Sequence, residues 1–256
     1  MNRYLATAAA LALVAGSLFA APVRAQSFND AQKSEIGKIV HEYLVKNPEV
    51  LREAINELEK RQKAEESAQR ETAIETVRSQ IFDSKHQVVI GNPEGKITLV
   101  EFFDYNCGYC KKVLGDISKL AKENPDLRIV LRDFPVLGQG SVEAAQVAMA
   151  TAKQLQGEKF WGFHQKLLGG RSQAGKEQAL AAARDAGVDM GKLEKDMKSP
   201  DIRAGYEEVM QVADKLALTG TPSWVVGKEV IVGAIGYAEL NGKIANYRKC
   251  GKTSCG

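Results

Sequence analysis

Residues 97–122 read ITLVEFFDYNCGYCKKVLGDISKLAK. Ile97 to Phe103 is an apolar run with polar flanks, the pattern of a buried strand. From Gly108 to Lys122 the period changes, and Val113, Leu114, Ile117 and Leu120 recur at helical spacing. Leu127 to Leu131 is a second strand, ended by Pro135. Strand, helix, strand is a βαβ unit, and Cys107-Gly108-Tyr109-Cys110 falls at its first junction.

A cysteine pair at that junction has a specific chemistry. The thiolate, not the thiol, attacks a disulfide. Cys107 at the opening of a helix faces unpaired backbone N–H groups and the positive end of the helix dipole, and both stabilise the anion. Cys110, one turn later on the same side, is placed to attack a mixed disulfide on Cys107 and release the substrate. Gly108 leaves the approach to the sulfur open, and Tyr109 completes the motif. Lys111 and Lys112 add positive charge that solvent screens. Glu101, an acid within the apolar strand, has two readings: a buried proton acceptor for Cys110, or a strand-end acid facing solvent or a lysine. Far downstream, Gly220-Thr221-Pro222-Ser223-Trp224 places a proline at the start of a strand. If Thr221–Pro222 is cis, its backbone lies beside the sulfurs and a substrate pairs with it as an added strand.

The chain has four cysteines in two close pairs. A C-x-x-C is also half a zinc site, which Cys250 and Cys255 would complete. The favoured alternative is a small Cys250–Cys255 disulfide pinning the C-terminal tail, beside a secondary redox or metal-binding role. No resident metal or cofactor is expected, since the cysteine pair is itself the redox group; reduced, it also offers soft ligands for Cu(I). His41, His86 and His164 have no ligand-like spacing and read as surface or packing residues. Phe160, Trp161 and Phe163 read as core.

Around this unit the chain is modular. Arg3, the apolar run Leu5 to Ala21, and Val23-Arg24-Ala25 read as a secretory signal over residues 1–25, cut after Ala25. Thiols outside the cytoplasm tend to oxidise. Residues 26–58 read as two helices interrupted at Asn47-Pro48, with N-cap oxygens at Ser27 and Asn29-Asp30. Their stripes, Ile36, Ile39, Val40, Tyr43 and Leu44, then Val50, Leu51, Ala54, Ile55 and Leu58, need a partner. Another copy of the segment is the simplest one, packing back on the main domain the alternative. Residues 59–86 read as a linker or stalk, polar all round up to Thr72, after which Ile74, Val77 and Ile81 resume an apolar stripe near the next domain. The domain 87–256 opens with a short strand at Val88–Ile90. A helical block at about 138–216, rich in Ala, Lys, Gln and Glu, separates the first strands from Pro222–Val226, Val230–Val232 and a last helix from Tyr237. The net charge of +3, with acids and bases interspersed, gives no nucleic-acid footprint.

The run Leu99 to Lys112, with Gly220-Thr221-Pro222-Ser223 downstream, resembles the DsbA-like branch of the thioredoxin superfamily. The resemblance implies an α/β thioredoxin fold with an inserted helical domain. It further implies that Cys107 is the nucleophile, Cys110 the resolving cysteine, Pro222 a cis-proline, Thr221 the residue whose backbone meets substrate, and Glu101 the family's buried acid. Strongly oxidising members carry Pro-His between the cysteines and valine before the cis-proline. Gly108-Tyr109 and Thr221 instead resemble disulfide isomerases of the DsbC type. Phe28 to Ile36, with Tyr43-Leu44 and Asn47-Pro48-Glu49-Val50-Leu51, resembles the N-terminal domain of the suppressor-of-copper-sensitivity protein C family. That likeness implies a homo-oligomer, most simply a trimer, preceding the catalytic domain.

The function expected from these readings is periplasmic disulfide isomerisation or reduction on misoxidised exported proteins, with a link to copper tolerance. A DsbD-like membrane reductase would keep Cys107 reduced. The alternatives are a dithiol oxidase that donates disulfides and an envelope protein that binds Cu(I).

Overall fold

The computed structural model describes residues 28–255. The leader expected at residues 1–25, and Ser27 as a capping residue, lie outside them. The chain divides into two compact units, residues 1–58 and 59–256.

In the first unit, α1 (Asp30–Lys46) starts at Asn29, whose side chain accepts the Gln32 N–H at 2.9 Å while Gln32 Oε1 accepts the Asn29 N–H at 3.0 Å. This reciprocal pairing satisfies two donors that a helix start would otherwise leave orphaned. Asn47 ends α1, and Pro48 opens α2 (Pro48–Thr76), where its fixed φ and missing N–H cost nothing. α1 buries none of its residues, and Ile39, Val40, Tyr43, Leu51, Ile55 and Leu58 all stand exposed.

The second unit begins at Glu59, earlier than the boundary at Gln87 read from the sequence. The polar stretch has apolar anchors downstream: Ile74, Val77, Ile81 and Phe82 join the core, the last two from α3 (Arg78–Phe82). Lys228 also pairs with Glu71 and Glu75, at 3.1 and 3.3 Å. The end of the expected stalk thus belongs to the catalytic unit, because burying those side chains outweighs the polar surface upstream.

The sheet has five strands in the order β1-β3-β2-β4-β5. They are β1 (Val88–Gly91), β2 (Ile97–Phe103), β3 (Leu127–Asp133), β4 (Ser223–Val226) and β5 (Glu229–Val232). β2 and β3 run parallel and are joined by α4 (Gly108–Glu123); the other pairings are antiparallel. The central strands β2 and β4 are almost wholly buried, as expected for a sheet covered on both faces. Between β3 and β4 stand α5 (Gln139–Ala152), α6 (Gly157–Leu168), α7 (Lys176–Asp185), α8 (Met190–Met197) and α9 (Pro200–Lys215). α10 (Tyr237–Cys250) closes the unit and ends at Gly251, in the left-handed conformation (φ 71°) that glycine adopts without strain. Among the described residues no helix is long and apolar enough to cross a membrane.

One buried ion pair ties the insert to the sheet. Arg132, in β3 and 1% exposed, donates from Nη2 to Glu208 Oε1 of α9 at 2.7 Å, and Ser84 hydrogen-bonds the same oxygen. Removing one partner strands a desolvated charge. Glu208→Ala is therefore expected to lower the unfolding free energy by about 3–5 kcal/mol in urea titrations. The double change Arg132→Met with Glu208→Leu should recover most of it; a loss below about 1 kcal/mol in the single variant would contradict the assignment.

Candidate active site

β2 delivers the chain to a turn at Asp104-Tyr105-Asn106, and Cys107 is the N-cap of α4. Its sulfur accepts the Cys110 N–H at 3.3 Å, a contact with one of the orphan donors of the helix start. The Cys107 thiol donates to the Thr221 carbonyl at 3.2 Å, and the Thr221–Pro222 peptide is cis. The downstream signature and the cysteine motif thus meet, although Cys107 and Thr221 are separated by 114 positions. A Cβ at Gly108 would find nothing within 4 Å, so the glycine leaves open space beside the pair. Both cysteines are free thiols; Cys107 is 5% exposed and Cys110 fully buried, so the first sulfur is the one within reach of another molecule. Tyr109 projects into solvent with the Lys112 ammonium 5.0 Å from its ring centre. Lys111 is not simply solvated: its Nζ donates to the Gly170 carbonyl at 3.0 Å.

Glu101 resolves in favour of the buried reading. It pairs in register with Leu131 of β3 and Trp224 of β4, is fully buried, and neither carboxylate oxygen has a hydrogen-bond partner among the described residues. Burial, then the charge of Cys107, pushes its carboxyl up to about 8. Cys110 is pushed well above the ordinary thiol range, first by burial and then by Glu101. The acid and the second sulfur are therefore both buried, and the charge of Glu101 makes it harder for Cys110 to ionise.

The turn before Cys107 carries residues the sequence reading passed over. The Asp104 carboxylate accepts from Asn106 N (2.7 Å), Ser141 Oγ (2.7 Å), Val136 N (2.8 Å) and Leu137 N (2.9 Å). Asn106 exchanges hydrogen bonds with the Ala174 backbone at 2.7 and 2.9 Å. Tyr105 Oη meets His164 Nδ1 at 3.2 Å. His164 is fully buried among Phe103, Tyr105, Phe160 and Trp161, and burial holds its ring down to about 3, so it is a neutral packing residue. His41 is exposed and His86 half-buried. The only hint in the sequence was an acid placed where a buried strand ends.

Cys250 and Cys255 are joined to each other, with Cα atoms 6.3 Å apart, so a four-cysteine zinc set is not assembled. Among the described residues no cluster of His, Cys, Asp and Glu is arranged to hold a metal ion.

The Glu101 environment makes stability depend on pH with a definite sign. The folded carboxyl titrates above its ordinary value of 4.5, so the cost of ionising it is absent below that pH and grows as pH rises towards about 8. Reduced wild type should therefore lose, relative to reduced Glu101→Gln, on the order of 4 kcal/mol between pH 5 and pH 8, at about 1.4 kcal/mol per pH unit. Paired guanidinium titrations at the two pH values check this, and a difference that stays level would contradict it.

Comparison with known proteins adds family context to this geometry. Residues 98–245 match the model of the DSBA-like thioredoxin domain, and residues 32–65 match that of the copper resistance protein ScsC N-terminal domain. The chain is 37% identical to a thioredoxin-like oxidoreductase from Silicibacter pomeroyi DSS-3, with a TM-score of 0.63 over 68% of this chain and 98% of that one. It is 27% identical to Proteus mirabilis ScsC in a compact conformation, with a TM-score of 0.64 over 85% of this chain and 98% of that one. Among curated relatives, the Na(+)/H(+) antiporter NhaA 1 of Mycolicibacterium gilvum is 30% identical over 149 residues, 57% of this chain. The chain spans only 24% of that antiporter's length. With the family model covering β3 to β5, nearly all of β2, the cysteine pair and the whole helical insert, this chain belongs to the DSBA-like thioredoxin domain family.

Proposed function

We propose that the chain is a thiol–disulfide oxidoreductase of the periplasm that isomerises or reduces wrong disulfides in exported proteins. The observation that carries this reading is the placement of Cys107 Sγ, which accepts a helix-start N–H on one side and touches the carbonyl before a cis-proline on the other. As a thiolate, Cys107 attacks one sulfur of a client disulfide. A Cys107–client bond forms, the client S–S bond breaks, and the departing client thiolate takes a proton. Attack by another client thiol returns Cys107 as a thiolate and leaves the client with a new disulfide and no net redox change. Attack by Cys110 instead releases a reduced client and leaves a Cys107–Cys110 disulfide. Two electrons from an external dithiol, such as a DsbD-like membrane reductase, then restore the pair. Cys110 must lose its proton to attack, and the ionised form of Glu101 is the acceptor in the same buried space.

Gly108 and Tyr109 between the cysteines, without a histidine to stabilise the reduced anion, favour this role over that of a dithiol oxidase. The exposed apolar stripe of the first unit supports self-association, and a trimer is what the resemblance of residues 28–51 to the ScsC family implies. Several sites would then face one client. The description of the matched N-terminal model also favours a part in copper tolerance, through repair of copper-oxidised clients or through Cu(I) held between the two thiols. A Cu(I) titration of wild type and Cys107→Ser separates these two.

Cys110→Ser should accumulate a disulfide-linked adduct with scrambled ribonuclease on non-reducing gels, whereas Cys107→Ser should form none and lose activity by more than about 100-fold. Adduct formation in Cys107→Ser would remove its assignment as nucleophile. The full chain carrying Ile39→Asp and Tyr43→Asp, two exposed stripe positions, should sediment as a monomer. It should keep insulin reduction and lose most ribonuclease reshuffling; equal reshuffling by monomer and assembly would remove the role given to self-association.

A further inference from the structure

We propose that Asn106 is a positioning residue for the resolving step, in which Cys110 displaces a bound partner from Cys107. Through it the loop between α6 and α7 sets how the two sulfurs are presented to each other. The inference rests on the thiol-exchange reading above and deepens it.

The two residues that flank the motif are both tied to that one loop. Before it, Asn106 Oδ1 accepts the Ala174 N–H at 2.7 Å, and Asn106 Nδ2 donates to the Ala174 carbonyl at 2.9 Å. The side chain thus serves both main-chain groups of one residue, as a neighbouring strand would. Nδ2 also donates to Ser141 Oγ at 3.0 Å, so both amide hydrogens are used and the amide cannot turn over without losing all three bonds. After the motif, Lys111 Nζ donates to the Gly170 carbonyl at 3.0 Å.

A glycine makes room for this clamp. A Cβ at Gly140, in the first turn of α5, would stand 2.9 Å from the Ala174 carbonyl oxygen and 3.8 Å from Asn106 Nδ2. The first contact is closer than real side chains approach, and it is with main chain, so Ala174 would have to move. Gly140 has no left-handed φ that would call for glycine. What its missing side chain spares is the oxygen that Asn106 holds.

What the clamp steadies bears on both sulfurs. Asn106 N donates to Asp104 Oδ1 at 2.7 Å and closes the turn on itself. The Asp104 carbonyl accepts the Cys107 N–H at 3.0 Å. The Asp104 N–H bonds the Cys110 sulfur, which eases ionisation of a thiol that burial and then Glu101 push up. In the resolving step the Cys110 thiolate, its proton passed to Glu101, attacks Cys107 Sγ. A Cys107–Cys110 bond forms, the bond from Cys107 to the partner sulfur breaks, and that sulfur leaves as a thiolate that takes a proton. The rate of such an intramolecular step depends steeply on how the reacting atoms are aligned. A turn released from Ala174 costs Cys110 its alignment and its N–H together.

The test mixes the reduced full chain with oxidised glutathione, quenches it in acid at millisecond intervals, and follows the Cys107–glutathione adduct by mass spectrometry. Asn106→Ala should slow decay of the adduct about tenfold and lower the equilibrium constant for the internal disulfide against glutathione by a similar factor. Gly140→Ala, which leaves Asn106 and both sulfurs unaltered, should slow the decay in the same direction. The double variant should be no slower than Asn106→Ala, since the displaced carbonyl then has no side chain to pull. A purely structural role would lower the unfolding free energy and leave this first-order step alone. Hydrogen exchange on the wild type gives an arm that needs no variant: the Ala174 amide should exchange more slowly than those of Ser172 and Gln173 in the same loop. Unchanged decay in either single variant, additive slowing in the double variant, or an Ala174 amide that exchanges as fast as its neighbours would each overturn the proposal. A wild type that forms neither the adduct nor the internal disulfide would overturn the thiol-exchange reading and this inference with it.

Discussion

Everything this site can do depends on a sulfur taking the place of an oxygen at a helix start. N-cap positions usually carry Ser, Thr, Asp or Asn, whose oxygens accept an N–H from the first turn. Cys107 fills that position in α4 and accepts the Cys110 N–H. The same bond fixes where the sulfur points, towards Thr221 and the cis peptide. The cap and the contact with the cis-proline loop are therefore set by one short piece of backbone geometry.

The second constraint is the cost of ionisable groups inside a sheet covered on both faces. Glu101, Arg132 and Asp133 lie in or at the ends of central strands, and burial disfavours the charged form of each. Arg132 is compensated by Glu208. Asp104, one residue beyond β2, is compensated by four donors. Glu101 has no such compensation. Among these groups, the unsatisfied acid is the one whose charge acts on Cys110. A hydrogen-bonded Glu101 would hold its carboxylate state more firmly.

Much of this was legible in the chain and some was not, for identifiable reasons. The strand–helix–strand unit was readable because its periodicity changes from a continuous apolar run to a helical stripe within a few residues of Cys107. Pro222 was readable as a strand opener, but its peptide geometry and its contact with Cys107 depend on a fold that brings distant segments together. Residues 59–86 were legible in part. The stretch to Thr72 has no apolar face and reads as a stalk, while Ile74, Val77 and Ile81 resume an apolar stripe near the next domain, and these three are buried in the second unit. The Asp104 network left only the hint of an acid at the end of a buried strand. Its partners at Val136, Leu137 and Ser141 lie more than 30 positions away, and all four of its donors are a hydroxyl or main-chain amides of ordinary residues. His164 was ambiguous because a lone histidine carries no spacing; only its aromatic surroundings make it a packing residue.

These distant partners give the helical insert a role. Three consecutive residues of the turn before Cys107 each reach into it: Asp104 to Ser141 on α5, Tyr105 to His164 on α6, and Asn106 to Ala174 before α7. Lys111, one residue past the second cysteine, reaches the Gly170 carbonyl in the same loop. A turn between a strand and a helix has few internal hydrogen bonds of its own and would otherwise be the softest part of the site. Gripping it residue by residue from three places removes that freedom and lets the N-cap hold its geometry. The insert is in this sense a frame for Cys107, anchored in turn to the sheet by Arg132 and Glu208. Loosening any of these contacts should therefore be felt at Cys107, however far the altered residue lies along the chain.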